Sequence, residues 1–317
     1  MISLFDLSDK KTVTSLDGEK ITYRTTGTPS DEAVLLLHGH SMESRLCLPL
    51  ALPFSDSNYF ILPDMRGFGQ SSPYISDPQD VLAVFAEDAE RILKANNVKK
   101  VKIVAISVGT MVAMEMIKRG NVDIQNVLFM DHSCKPLSSP GRKTGFCPKI
   151  QDTGALEKMV EMFRNEIGYF KDGKWNYRRD ADYEKMSAAF KKEYSETAAN
   201  TIIAGLSDYP SKLLSISGNS LFRKINPLYR SWYTTMLIMA SYIENNYDYI
   251  RVLSETKIPY DVYWAKDTKM FGPDALKDYE DIQKNNKGEI KIFEGGHDFF
   301  ITHFSDFLKE FKIFLDK

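Results

Sequence analysis

The sequence predicts an α/β protein, with a mostly parallel central sheet flanked by helices and a helical segment inserted after the sixth strand. Short continuous apolar runs alternate with stretches of helical period, and one long segment interrupts that alternation. The first pair of runs, "KTVTSL" (11–16) and "KITYRTT" (20–26), flanks Asp17-Gly18. An Asp-Gly pair takes the positive φ of a tight turn, so these runs are expected as a β-hairpin. "AVLLL" (33–37), "YFILP" (59–63), "VKIVAI" (101–106) and "NVLFM" (126–130) have no polar alternation. That is the pattern of strands covered on both faces, hence of a parallel sheet.

Helices fall between them. "DVLAVFAEDAERILKANN" (80–97) brings Val81, Val84, Phe85, Ile92 and Leu93 to one face, whereas Glu87, Asp88 and Glu90 read as a solvated charged face. "SVGTMVAMEMIKRG" ends in Lys118, Arg119 and Gly120, a good C-terminal stop. The rhythm resumes with "PYDVYWA" (259–265), a helical "DALKDYEDIQKNN", "EIKIFEGG" (289–296) and the amphipathic "FSDFLKEFKIFL". Between them, residues 135–245 open with Pro136, Pro140, Gly141, Gly145 and Pro148 and continue as helical pieces rich in aromatics and methionine. We therefore expect a core of 1–134 and 246–317 and a helical cap of 135–245 covering one end of the sheet.

Composition narrows the function. The 317 residues carry a formal charge of -2, which leaves no basic surplus for nucleic acid. No run is long and apolar enough to span a membrane, and "MISLFDLSDKK" lacks the small-residue cleavage site of a secretion signal. Cys47, Cys134 and Cys147 form an odd set without metal or redox spacing. A cytoplasmic protein without metal or cofactor is expected. Its partner is an apolar small-molecule substrate; oligomeric state is left open.

The pentapeptide "AISVG" (105–109) asks whether Ser107 is a nucleophile or an ordinary helix cap. A serine nucleophile at the end of a buried strand needs small neighbours, so that a tight strand-to-helix turn can lift its hydroxyl clear; Ala105 and Gly109 are small. The pentapeptide alone does not decide.

Other segments do. "LLLHGH" (35–40), the loop Asp64-Met65-Arg66-Gly67-Phe68-Gly69-Gln70-Ser71, "AISVG" and "FEGGHDFF", in that order and each after an expected strand, resemble the α/β-hydrolase fold superfamily over nearly the whole chain outside the insertion. The resemblance implies Ser107 as nucleophile, His297 as its base, and an oxyanion hole from the backbone N–H groups of His40 and Val108. It implies that His38 shapes its loop; Asp64 and Arg66 read as an ion pair that braces theirs, with Gly67 and Gly69 allowing the turn. His132 and His303 are expected to be structural or solvent-facing.

The acid departs from the pattern. Where the family's seventh strand ends in G-x-x-D, this chain reads Ala265-Lys266-Asp267-Thr268, which puts Thr268 in the acid's place. Asp267 is the first choice for the acid, through a loop one residue shorter. Asp131, which follows the sixth strand, is the alternative. The aromatics Phe163, Tyr169, Phe170, Trp175, Tyr177, Phe222, Trp232 and Tyr233 are core of the cap or lining of an apolar cavity; His40, Trp232 and Tyr233 are the expected substrate contacts. Met236 and Met239 read as core.

The expected activity is hydrolysis of a carboxylic ester, thioester or lactone of an apolar small molecule through an acyl-enzyme. A serine at the elbow argues against epoxide hydrolase or haloalkane dehalogenase chemistry. The alternatives are a cofactor-free oxygenase or lyase using His297 as base, and a non-catalytic ligand-binding homologue.

Overall fold

A computed structural model describes residues 8–205 and 231–317. Phe222 and the opening residues Met1 to Leu7 lie outside them. The sheet has eight strands: β1 (Asp9–Thr14), β2 (Lys20–Thr26), β3 (Glu32–Leu37), β4 (Phe60–Pro63), β5 (Lys100–Ile106), β6 (Asp123–Met130), β9 (Tyr260–Ala265) and β10 (Ile290–Phe293), in the spatial order β1-β2-β4-β3-β5-β6-β9-β10. β2 runs antiparallel to both of its neighbours, β1 and β4; β4, β3, β5, β6, β9 and β10 pair in parallel. The hairpin closes at Gly18, with φ of 85°.

The apolar runs are continuous because each strand is covered on both sides. On β3, Leu35 and Leu37 join one core, and Val34 and Leu36 the other. On β5, Ile103 and Ala105 join the first, and Val104 and Ile106 the second. The first face carries α2 (Val81–Ala95) and α3 (Val108–Arg119). The second carries α1 (Ser44–Ala51) and the C-terminal α11 (Phe304–Asp316), whose Phe307, Phe311 and Phe314 are fully buried; α9 (Asp274–Ile282) connects β9 to β10. Connections run from β3 to β4 in one direction and from β4 back past β3 to β5 in the other. The order reverses at β3, and the loops after β3 and β5 leave the sheet side by side at this switch point, where open α/β sheets place their sites.

Residues between β6 and β9 form an insertion with α4 (Pro148–Asp152), α5 (Ala155–Ile167), a hairpin of β7 (Gly168–Lys171) and β8 (Lys174–Tyr177), α6 (Ala188–Gly205), α7 (Trp232–Asn245) and α8 (Ile250–Glu255). The β7–β8 hairpin departs from the all-helical expectation. It turns at Asp172-Gly173 with φ of 55° and 78°, the backbone that an Asp-Gly pair favours.

Two charge readings are corrected. Asp64 and Arg66 do not pair: the Asp64 carboxylate accepts the backbone N–H groups of Ser44 at 2.7 Å and Gln70 at 2.9 Å. Arg66 instead makes a two-pronged contact with Asp88, at 2.6 and 2.8 Å, and also reaches Asp17. Asp88 is therefore a buried ion-pair partner, not part of a solvated face. Glu90 is likewise engaged, by Arg119 at 2.8 Å.

All three cysteines are free and buried, and burial pushes their thiols up, to about 12 for Cys147. Among the described residues no group of His, Cys, Asp and Glu could hold a metal ion, and no helix is long and apolar enough to cross a membrane.

Candidate active site

Ser107 sits where β5 gives way to α3, with φ of 51° and ψ of -123°. That backbone is strained for a residue with a side chain, and the surroundings enforce it. The Ser107 N–H donates to the Met130 carbonyl at 3.0 Å, and its own carbonyl accepts from Thr110 N at 2.8 Å. Its side chain makes no cap hydrogen bond, so it does not act as a helix-capping serine. Gly109 is required because a Cβ there would stand 2.6 Å from the Leu37 carbonyl oxygen. Gly39 clears the other side: a Cβ on it would lie 3.2 Å from the Ser107 Cβ. Ala105, in place of the usual small glycine, is fully buried without disturbing the strand.

The loop after β3 is held by His38. Its Nε2 accepts the Met65 N–H at 3.0 Å, so the ring proton is on Nδ1, which donates to the Gly39 carbonyl at 2.7 Å. Burial lowers its pKa, consistent with a neutral strut. The backbone N–H groups of His40 and Val108 donate to no acceptor among the described residues. Val108 stands at the first position of α3, where a helix leaves its N–H groups unpaired and favours negative charge.

His297 follows β10 in the loop that precedes α10 (Phe299–Thr302), a single turn that leads into α11. Its Nδ1 lies 2.6 Å from Asp131 Oδ2, so the imidazole spans from beyond β10, past β9, to the end of β6. Asp131 takes φ of 43° immediately after β6, and only 1% of it is exposed. Its other oxygen accepts the Ala265 N–H at 3.0 Å, and Oδ2 also accepts the Thr268 hydroxyl at 2.8 Å.

Asp267, the first choice on sequence, does not make this contact. The chain after β9 stays hydrogen-bonded alongside β10 for two more residues, with Lys266 N on Phe293 O at 2.8 Å and Asp267 N on Gly295 O at 3.0 Å. The Asp267 side chain is left exposed, and it supports the histidine loop only through its N–H. The turn comes one residue later, which directs Thr268 inward.

His132 is buried beside this group, its ring 4.6 Å from that of Phe271. Burial, opposed by a hydrogen bond to the Ser133 carbonyl, brings its pKa down to about 4. His303 Nδ1 lies 3.2 Å from the hydroxyl of its neighbour Thr302.

The expected substrate contacts have structural partners. His40 Nε2 lies 2.9 Å from the Thr235 hydroxyl of α7, and its ring packs edge-on against Phe68. Burial lowers its pKa to about 4, so it is neutral near pH 7. Trp232 is buried within a cluster formed by Phe163, Tyr183, Phe190 and Tyr233. Tyr233 is half-buried, and desolvation raises its hydroxyl pKa. Tyr169 and Phe170 point outward, at 49% and 64% exposure, and so line no cavity. Met236 and Met239 are buried in the core. Thr235 was not evident from the sequence, since nothing local distinguishes it. Thr268 was marked by its place at a strand end, but not as a partner of Asp131.

A reversing parallel sheet with a strained serine after β5 and a histidine-carboxylate pair across its C-terminal edge defines the class of this protein. The alpha/beta hydrolase fold family matches residues 32–304, and the chain belongs to that family. Solved structures agree in fold. An esterase from Exiguobacterium antarcticum is 13% identical, with 97% of this chain and 99% of that chain covered and a TM-score of 0.66. An alpha/beta hydrolase enzyme from a Medee basin deep-sea metagenome library is 18% identical over 97% and 98% of the two chains, with a TM-score of 0.67. An esterase from Rhodococcus sp. is 17% identical over 97% and 98%, with a TM-score of 0.66. No curated protein matches the chain in sequence.

Proposed function

We propose that the protein is a serine hydrolase that cleaves a carboxylic ester, thioester or lactone of an apolar small molecule through an acyl-enzyme. The observation that carries this reading is the 2.6 Å contact between His297 Nδ1 and Asp131. It fixes the imidazole tautomer: with the proton on Nδ1, Nε2 is left as the base. Nε2 takes the Ser107 proton as Oγ attacks the carbonyl, and Asp131 stabilises the imidazolium that results. The N–H groups of His40 and Val108 receive the developing oxyanion. The imidazolium then gives its proton to the leaving group. Water, deprotonated by the same nitrogen, attacks the acyl-serine and releases the acid, with Ser107 recovering its proton.

The strain at Ser107 favours this reading over one in which His297 acts alone, because a base-only reaction gives no reason to hold a serine at φ of 51°. Residues 135–245 act as the cap over the sheet edge, and their aromatic content supports an apolar substrate. The esterase names of the structural neighbours support the ester class.

The test is intact-mass spectrometry after exposure to a fluorophosphonate, with hydrolysis of an ester panel in parallel. A single adduct on the wild type that is absent from Ser107→Ala, together with ester turnover lost by at least about a thousandfold in that variant, is the expected outcome. An unlabelled wild type, or a Ser107→Ala enzyme of undiminished activity, rejects the acyl-enzyme.

A further inference from the structure

The geometry points to Thr268 as a positioning residue for the acid, a reading that rests on the proposed serine-hydrolase chemistry. Thr268 stands in the turn just after β9, where the family resemblance usually puts the carboxylate itself. Its hydroxyl accepts the Met270 N–H at 3.3 Å, so its single proton is directed to Asp131 Oδ2, 2.8 Å away. That is the oxygen facing His297. With the Ala265 N–H on Oδ1 at 3.0 Å, the carboxylate is held by hydrogen bonds at both oxygens. The end of β9 therefore still serves the histidine, by fixing a carboxylate that has moved to β6.

Removing this hydroxyl has two effects of opposite kind. The carboxylate loses a donor on the oxygen that faces the imidazole, becomes more basic, and holds the Nδ1 proton more strongly. The imidazolium is thereby stabilised, and His297 titrates at higher pH. The carboxylate also loses one of the contacts that set its plane, so the imidazole is aimed less well and turnover slows. The groups that face His297 and could compete in this titration are Asp131 and His132 after β6, with Asp298 next to it in the chain. His132 stays neutral over the range of interest, with its pKa at about 4.

The experiment compares wild type with Thr268→Val, Thr268→Ala and Thr268→Ser. One readout is kcat and KM against pH on a p-nitrophenyl ester; the other is an NMR titration of the His297 ring, assigned with His297→Gln, and melting curves confirm that each variant is folded. Thr268→Val and Thr268→Ala are expected to lower kcat about tenfold, the scale of one hydrogen bond to a charged group, with KM unchanged. The acid limb of kcat/KM and the His297 titration should both move up by about half a unit or more, and Thr268→Ser should restore both. A folded Thr268→Val or Thr268→Ala variant whose His297 titrates as in wild type overturns the inference, as does failure of Thr268→Ser to rescue. Should the wild type turn over no ester, the functional reading fails, while the NMR titration still decides the role of Thr268.

Discussion

Ser107, His297 and the acid differ in how far each could be read from the residues alone. Ser107 and His297 each sit in a short local pattern after a strand, and such patterns survive in a single sequence. The acid does not, because the contact that defines it joins residues 166 positions apart. Its identity depends on where the chain turns after β9: one more backbone hydrogen bond along β10 sends Asp267 outward and Thr268 inward. The Asp64 and Arg66 pairing failed for a related reason, since two charges close in sequence each found partners on other elements. At this scale His132 gives a prediction about pH. A free imidazole takes up a proton near pH 6.5, whereas the folded protein keeps this one neutral to about pH 4. Its contribution, roughly 3 kcal/mol, is complete above pH 6.5 and is lost as pH falls toward 4. Thermal melts from pH 7 to 4 should therefore show a falling Tm that is flatter in His132→Asn; equal slopes would refute this.

Among the elements, helices and strands with a full apolar pattern were legible, and short irregular pieces were not. In α11 the spacing of Phe307, Phe311 and Phe314 encodes one buried face. Phe311→Ala removes a ring that packs on Phe54 and Phe307, and urea unfolding should register a loss of about 3–5 kcal/mol; a loss below about 1 kcal/mol would mean the face is not packed as described. Helix α1 escaped notice because Pro49 lies inside it, and proline ordinarily argues against a helix interior. The β7–β8 hairpin escaped notice although Asp172-Gly173 carries the same turn signal as Asp17-Gly18, because its aromatic strands were read as helical faces. Gly109 couples an element to the site: α3 touches the end of β3 so closely that Gly109→Ala should cost about 1–3 kcal/mol and lower activity with it. A variant as stable and active as wild type would show that the approach is looser than 2.6 Å implies.

Across the described molecule, α7 is tied to the loops that follow β3 and β4. Helix α7 places Thr234 against Gly67, where any side chain would collide, and Thr235 on His40. Further along, Ser241 bonds the Gln79 carbonyl at 2.9 Å. The loop that carries His40 is thus braced by α7, and, on the proposed mechanism, Thr235→Val should slow acylation several-fold while leaving the melting temperature within a few degrees. The mostly parallel sheet followed from the sequence because buried parallel strands leave an unbroken apolar record; the docking of α7 did not, since it rests on hydroxyl contacts that leave no periodic trace.

The central claim is that Asp131, not Asp267, holds His297. The most direct measurement is the rate at which a fluorophosphonate labels Ser107 in Asp131→Asn and in Asp267→Asn, with both variants shown to be folded. Labelling is expected to slow by about a thousandfold or more in Asp131→Asn, the scale on which a triad acid matters, and to stay within about twofold of wild type in Asp267→Asn. The opposite ranking would contradict the account and return the acid to the end of β9.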